Sequence, residues 1–320
     1  MNSLPPQKGR SEGLAGENTD ERPRAAACKD SSPANCATPE DLSEWTQVLS
    51  PDRGWFDLRL GELWRYRDLV FRFFRRDFVA SYKQTILGPL WFFIPPIFTT
   101  LIFTVVFGKI GQIPTDGMPP FLFFLLGNTA WTYFASCLTR SATTFSGNAG
   151  LFGKVYFPRM VMPLSTILAN LLTFAIQFGL FLALYLVFWL RGSPIEPNWR
   201  IVILPLLLLQ MGALGLGIGC IVSALTTRFR DLAYMIAFGT QFWMYASCVV
   251  YPLSQIPREW RWLFILNPMV PIIESLRFAF LGGGIVEMWH LAISAAITLV
   301  LLFIGLVMFS RSEKTFMDTI

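Results

Sequence analysis

The sequence predicts an all-α polytopic membrane protein with six transmembrane helices, an N-terminal amphipathic interfacial helix and re-entrant helices before the last span. Apolar residues make up 53% of the 320-residue chain and charged residues only 15%, and the mean hydropathy is +0.49. Six stretches reach the roughly 20 apolar residues that are needed to cross a hydrocarbon core. A basic amphipathic segment precedes the first of them. These observations exclude an ordinary soluble protein.

Two segments come before the first span. Residues 1–50 are rich in Ser, Pro, Glu, Asn and Ala and lack the apolar core of a secretory signal, so they are predicted to form a disordered cytosolic tail. From Glu62 to Lys83, apolar and aromatic residues recur at three- and four-residue steps, and arginines interleave with them. This pattern is typical of an amphipathic helix in the headgroup plane. A helix whose apolar stripe packs on a partner protein would show the same pattern.

The apolar stretches define a transmembrane domain over residues 84–310, followed by a cytosolic C-terminus over 311–320. The predicted spans are Gly88–Gly108, Pro119–Leu138, Leu164–Leu190, Ile201–Leu225, Leu232–Tyr251 and Trp289–Phe309. Between the last two, at about residues 253–288, two apolar runs are each too short to cross and are separated by Asn267 and Pro268. They suit a re-entrant hairpin, although a pair of helices lying on the outer surface fits them nearly as well.

The basic residues predict the orientation of the chain. Segments that would share one side of the membrane carry fifteen Lys and Arg residues, whereas the segments on the opposite side carry six. By the positive-inside rule, both termini are cytoplasmic. The basic residues lie beside apolar spans and form no dense groove, which argues against binding of nucleic acid.

The spans contain few groups that could do chemistry. No Asp, Glu, Lys or Arg lies within them, and the single His of the chain, His290, lies at the edge of the last span. Because intramembrane charges are kept chiefly for proton relays, ion sites and voltage sensors, their absence argues against a proton-driven pump. The nearest approach to a phosphate-binding loop, Asn148 to Val155, lacks the first glycine and the hydroxyl residue. A motor would therefore be a separate polypeptide.

Three further features allow two interpretations each. Gly215 and Gly219 let helix backbones approach closely, either within the chain or at a dimer seam. Glu274 and Arg277 are three residues apart and are expected to form a local ion pair, with a substrate or gating role as the alternative. Aromatic residues near the span ends either anchor the interface or line a sugar-conducting path. The candidates for such a lining are Trp91, Phe92, Tyr133 and Phe134.

Two motifs carry a resemblance to a known family. Residues Tyr82 to Trp91 have the sequence YKQTILGPLW, and residues Asn148 to Arg159 have the sequence NAGLFGKVYFPR, with MPLS starting at Met162. These motifs resemble the permease subunits of ABC-2-type exporters of polysaccharides, such as O-antigen, capsule and teichoic acid transporters. The likeness runs from about Leu63 to the C-terminus.

The resemblance implies a transmembrane permease subunit that exports lipid-linked polysaccharide, of O-antigen type by preference, across the bacterial inner membrane. The implied partners are an ABC ATPase subunit, a second copy of the chain, the lipid-linked polysaccharide and membrane lipids. The chain itself would be non-catalytic and hold no cofactor or metal, because the partner subunit would bind ATP and Mg²⁺. The alternative is a membrane-embedded transferase acting on lipid-linked sugars. Its candidate groups are Asp77, Glu274, Glu287 and His290.

The resemblance also implies roles for individual residues. The segment from Arg140 to Arg159 matches the coupling region that seats in the ATPase, and the loop from Thr226 to Asp231 would be a second contact. The implied coupling residues are Arg140, Asn148, Leu151, Lys154, Val155, Phe157, Pro158, Arg159, Arg228, Arg230 and Asp231. The implied residues of an interfacial gate helix are Arg65, Arg72, Phe73, Arg76, Tyr82 and Lys83. The implied residues of a re-entrant exit are Asn267, Pro268, Glu274 and Arg277.

Overall fold

The computed structural model describes residues 64–83, 85–152, 157–193, 195, 197–227, 229, 231–284 and 287–317. The predicted tail at residues 1–50 lies outside this part of the chain. Within it the structure consists of helices and contains no strand, which confirms the predicted all-α class.

Ten α-helices form the described part of the chain. They are α1 (Arg67–Ala80), α2 (Ile94–Phe103), α3 (Pro120–Ala142), α4 (Thr144–Phe152), α5 (Val161–Leu190), α6 (Leu204–Thr226), α7 (Leu232–Ala246), α8 (Arg258–Ile265), α9 (Met269–Leu281) and α10 (Met288–Met317). A 3₁₀ turn at Gly88–Phe92 precedes α2, and a π-helical segment at Thr104–Ile110 follows it. The three together make the first span.

Five helical segments of the described chain are long and apolar enough to cross a membrane. They are Gly88–Ile110, Pro120–Ala142, Val161–Leu190, Trp199–Thr226 and Met288–Ser312. Helices α8 and α9 pass the same test as a pair but are bent by 101° at the predicted break. The multi-pass architecture is therefore confirmed.

The predicted fifth span, Leu232–Tyr251, is shorter in the structure than in the sequence prediction. Helix α7 has 15 residues and ends at Ala246, and Cys248 adopts a positive φ of 55°. At about 1.5 Å per residue the helix is about 22 Å long, less than the roughly 30 Å hydrocarbon core. The apolar run continues beyond the helix, so composition alone could not place its end.

Helix α3 forms the centre of the bundle. In its most apolar stretch 78% of the residues are buried, against 22% in the first span. It packs on α5 and α6, and a Cβ atom built on Gly219 would lie 2.5 Å from the Cβ of Ser141. A Cβ on Gly215 would lie 2.8 Å from the Cβ of Cys137. The glycine pair therefore packs within the chain, which was the first of its two interpretations.

Helix α1 lies against α5 of the same chain. Its apolar stripe contributes the buried Val70 and the partly buried Leu69 and Phe73 to a cluster with Val161 and Met162 of α5. Part of the stripe thus packs on the chain itself, and its position in the headgroup plane stays a prediction. The arginines of α1 lie on its exposed side.

Candidate coupling and translocation site

Helix α1 and the predicted coupling segment meet in one apolar cluster. Val70 and Phe73 of α1 pack with Phe157, near the end of the coupling segment, and with Val161 at the start of α5. The ring centroids of Phe73 and Phe157 are 5.7 Å apart. We call these four residues the gate-helix contact. A displacement of the coupling segment would reach α1 directly through it.

Helix α1 also connects to the first span. The ring of Phe78 stacks on that of Phe92, with centroids 5.7 Å apart and an angle of 1° between the planes. On the outside of the gate-helix contact, the guanidinium of Arg76 lies 4.6 Å from the ring centroid of Phe73 and pairs with Asp77 at 2.8 Å. The helix therefore bridges the coupling segment and the first span through aromatic rings.

The coupling segment is partly helical. Helix α4 occupies its first half and is kinked at Asn148, where φ is −120° and ψ is 15°, while the Asn148 amide donates to the Thr144 carbonyl at 3.0 Å. Phe145 is buried and stacks on Phe309 of α10 with centroids 4.6 Å apart. Arg159 is also buried, and its guanidinium lies 5.8 Å from the Phe145 ring. Both ends of the segment are thus held by the bundle.

A second site forms in the turn that follows α7. Backbone carbonyl groups outside a helix need a partner from the protein wherever water is excluded. Arg277 of α9 supplies it, because its two terminal nitrogens donate to the carbonyls of Cys248 at 2.8 Å and Val249 at 2.7 Å. The Arg277 side chain is completely buried. It acts as a fixed cation beside this turn.

Glu274 balances the buried charge. Its Oε1 lies 3.1 Å from a terminal nitrogen of Arg277 and accepts a hydrogen bond from the Leu253 amide at 3.3 Å. Gly284 adopts a φ of 122°, and a Cβ at that position would lie 2.9 Å from Oε2 of Glu274. The carboxylate is therefore enclosed by backbone, and the expected local ion pair is present.

Helix α3 closes the remaining side of this site. The Arg277 guanidinium lies 3.6 Å from the ring centroid of Phe123, a distance typical of a cation–π contact. A Cβ built on Gly127 would lie 2.9 Å from a terminal nitrogen of Arg277, so the glycine leaves room for the guanidinium. We call Arg277, Glu274, Phe123, Gly127 and the carbonyls of residues 248 and 249 the Arg277 junction.

The bend between α8 and α9 is fixed by hydrogen bonds on two sides. Asn267 accepts from the Trp243 indole at 3.1 Å and donates to the Ala246 carbonyl and the Ser247 hydroxyl at 3.0 Å each. On the other side, the Ser294 hydroxyl of α10 donates to the Pro268 carbonyl at 2.7 Å. The residues predicted to break the apolar run thus form the bend itself.

A comparison with protein families identifies the architecture. The family model described as ABC-2 type transporter matches residues 68–281, from the first turn of α1 to the end of α9. This chain belongs to that family. The match includes both the gate-helix contact and the Arg277 junction.

Three relatives of this ABC-2 type chain align over most of their length. It is 29% identical over 81% of its residues to the O-antigen export system permease protein RfbA of Myxococcus xanthus, of which 98% is covered. It is 31% identical over 77% of its residues to the polysialic acid transport protein KpsM of Escherichia coli, of which 94% is covered. For the capsule polysaccharide export inner-membrane protein CtrC of Neisseria meningitidis, the identity is 24%, over 75% of this chain and 89% of that protein.

The implied coupling residues of the ABC-2 type chain differ from one another in solvent exposure. Arg140 and Asp231 are exposed, Asn148 and Pro158 are half-buried, and Phe157 is buried, as Arg159 is. Lys154, Val155, Arg228, Arg230 and the side chain of Leu151 lie outside the described residues. The coupling role stays a prediction for this set, and the burial of Arg159 places its guanidinium inside the chain.

The implied gate-helix residues and the aromatic candidates for the lining also differ in solvent exposure. Arg65, Arg72, Arg76 and Lys83 are exposed, whereas Phe73 and Tyr82 are half-buried. Trp91 is exposed and Phe92 half-buried, but Tyr133 and Phe134 of α3 are buried in the core. Tyr133 packs on Phe174, and Phe134 packs on Trp243. Because both rings are buried, their position does not support the lining role that the sequence suggested. The sequence of α3 did not reveal that they face the core.

The two helices of the predicted hairpin differ in burial. Twelve of the thirteen residues of α9 are buried, so this half of the hairpin packs into the bundle, and its depth in the membrane stays a prediction. Helix α8 is the exposed half, with Trp260 and Trp262 more than half exposed. The sequence missed the partners of Arg277 on α3, and the glycine at position 127 inside an apolar span was the one signal that could have indicated a close approach.

The candidate groups of the transferase alternative form local pairs. Asp77 pairs with Arg76 on α1, and Glu274 pairs with Arg277 on α9. Glu287 lies 4.0 Å from His290 at the start of α10. Among the described residues, no three His, Cys, Asp or Glu side chains are grouped as a metal site would require.

Proposed function

We propose that this chain is the transmembrane permease subunit of an ATP-driven ABC transporter that exports lipid-linked polysaccharide, of O-antigen type, across the bacterial inner membrane. The observation that carries the proposal is the similarity over at least three quarters of the chain to proteins named for export of O-antigen, polysialic acid and capsule polysaccharide. The absence of charged residues inside the predicted spans supports it, since a pump driven by protons would need them.

The driving force comes from a separate ATPase subunit, which binds ATP and Mg²⁺. This partner docks on the coupling segment from Arg140 to Arg159, at the cytoplasmic side where both termini lie. Its motion passes through the rings of Phe157 and Phe73 to α1, and through Phe78 and Phe92 to the first span. The two ring contacts, each at 5.7 Å, support this route.

Two copies of the chain enclose the passage. The support is an aromatic stripe on α7 that the chain itself leaves uncovered, formed by Tyr234, Phe238, Phe242 and Tyr245. Their spacing of four, four and three residues places them on one helical face. Neutral aromatic faces can hold a sugar chain weakly without a deep energy well, and weak contacts at several sites suit a polymer that must keep moving. Trp91, exposed at the start of the first span, is the other aromatic residue that we propose for the lining.

Reconstitution in vesicles tests the proposal. The purified chain is combined with its candidate ATPase subunit, and ATP hydrolysis and export of lipid-linked polysaccharide are measured. We expect both activities in the complex, neither in the isolated chain, and loss of both when the ATPase carries a substituted Walker lysine. The replacement Lys154→Ala should lower export per ATP consumed. Hydrolysis of ATP by the chain alone, or transfer of sugar without an ATPase, would contradict the assignment.

A further inference from the structure

We infer that Arg277 is a positioning residue that joins α3, the end of α7 and the α8–α9 hairpin into one rigid body, and that the motion of the transport cycle enters through the gate-helix contact instead. The inference rests on the proposed function. It goes beyond it by stating which part of the chain stays fixed while polysaccharide passes.

The first argument is the convergence of three elements on one guanidinium. Arg277 of α9 donates to two carbonyls in the turn that follows α7, pairs with Glu274 on its own helix and lies over the Phe123 ring of α3. The planar guanidinium donates in fixed directions, so the two carbonyl bonds and the ion pair define its position. Moving the hairpin away from α3 or α7 would leave a charge or a carbonyl unpaired in apolar surroundings, which is costly.

The second argument is that two further attachments lie at other points of the hairpin. At the bend, Asn267 forms hydrogen bonds with Trp243 and Ala246 of α7 and with Ser247, which follows that helix. At the beginning, the Ser254 hydroxyl donates to both carboxylate oxygens of Asp116, at 2.8 and 2.9 Å, in the loop before α3. Attachments at three separated points prevent both rotation and translation of one element against the others.

The gate-helix contact has the opposite character. The side chains of Val70, Phe73, Phe157 and Val161 are apolar and meet through ring and aliphatic contacts. Dispersion contacts are individually weak and nondirectional, so these side chains can slide past one another. Sliding at this contact separates no charged pair among the four side chains.

The test compares two cysteine pairs in the full transporter. In a Cys28→Ser/Cys36→Ser background, one variant carries Asp116→Cys and Ser254→Cys, at positions whose native side chains are hydrogen-bonded, and the pair is joined by a disulfide or by a short bifunctional thiol reagent. The other carries Phe73→Cys and Phe157→Cys, joined by a short bis-maleimide. Membrane vesicles with the ATPase subunit are oxidised or cross-linked, with and without ATP.

We expect the cross-link between positions 116 and 254 to form at the same rate in both nucleotide conditions and to leave export within about twofold of the protein without the cross-link. Cross-linking positions 73 and 157 should lower export about tenfold or more, because it immobilises the gate-helix contact. Binding of ATP to the ATPase subunit should be retained. A cross-link between positions 116 and 254 that forms at a nucleotide-dependent rate, or that abolishes export, overturns the inference. Unimpaired export after cross-linking positions 73 and 157 overturns it as well.

A conservative replacement separates positioning from charge. Arg277→Lys keeps the charge but replaces two separated donor nitrogens in a rigid plane by one flexible ammonium. The rate of cross-linking between positions 116 and 254 should therefore become dependent on ATP. Arg258→Lys on the exposed face of α8 is the matched control and should change nothing. If the background protein exports no polysaccharide, the proposed function fails, but the cross-linking rates still decide whether the hairpin moves.

Discussion

The Arg277 junction and the gate-helix contact both join helices that are distant in the sequence, but they use different chemistry. In the junction, a buried charge meets a carboxylate, two carbonyls and an aromatic face. In the gate-helix contact, Val70, Phe73, Phe157 and Val161 meet through apolar surface. Directional bonds between buried charged groups fix a geometry, whereas apolar contacts tolerate displacement. One chain thus has a fixed side and a side that can transmit motion.

The largest expected effect comes from breaking the junction. Arg277→Ala leaves Glu274 and two carbonyls buried without their partner, and removing one member of a buried ion pair typically costs about 3–5 kcal/mol. We expect a marked fall in thermal stability of the protein in detergent. Arg258→Ala, which removes an exposed arginine of the same hairpin, serves as the control. Equal melting temperatures for the two variants would contradict the importance of the junction.

A smaller effect should follow from crowding the junction. Gly127→Ala places a Cβ 2.9 Å from the Arg277 guanidinium and 3.1 Å from the Val249 carbonyl, and overpacking of this kind costs about 1–3 kcal/mol. Gly179→Ala in α5 is the matched control, because a Cβ there meets nothing within 4 Å. Thermal unfolding should distinguish the two variants, and a Gly127→Ala protein as stable as the control would show that the site has room to spare.

The gate-helix contact should affect transport more than stability. Phe73→Leu and Phe157→Leu keep most of the apolar volume but remove either ring of a pair whose interaction beyond area burial is about 0.5–1.5 kcal/mol. We expect each single variant to hydrolyse ATP but to export less polysaccharide per ATP, and the double variant to be little worse than either. Phe71→Leu removes an exposed ring of the same helix and should have no such effect. Additive losses in the double variant would mean that the two rings act independently.

The smallest effect is expected at the charged rim of the gate-helix contact. Arg76→Gln removes the cation over the Phe73 ring and the ion pair with Asp77, whose two side chains are 50% and 23% exposed. Exposed ion pairs contribute about 0–1 kcal/mol and are screened by salt. The change in unfolding free energy should therefore be slight and should vanish at high ionic strength. An effect that persists in concentrated salt would indicate that the cation–π contact dominates.

Local patterns predicted much of the molecule. Runs of about 20 apolar residues found five spans, and the spacing of Glu274 and Arg277 predicted their ion pair, because both depend on residues that are close along one helix. Asn267 and Pro268 likewise predicted the bend. The burial of Tyr133 and Phe134 escaped prediction, since a helix that is apolar all round gives no sign of which face meets its neighbours.

The sequence by itself determined that the chain crosses a membrane several times, that the spans are uncharged and that a basic amphipathic helix precedes them. Only the tertiary structure decided that α7 stops after 15 residues, that Arg277 satisfies two carbonyls in the turn that follows it, and that α1 packs on α5. The physical reason is the separation along the sequence of the residues that each property involves. Hydropathy and helical periodicity are properties of neighbouring residues, whereas the partner of a buried carbonyl or of an apolar stripe can come from any element that folding brings close.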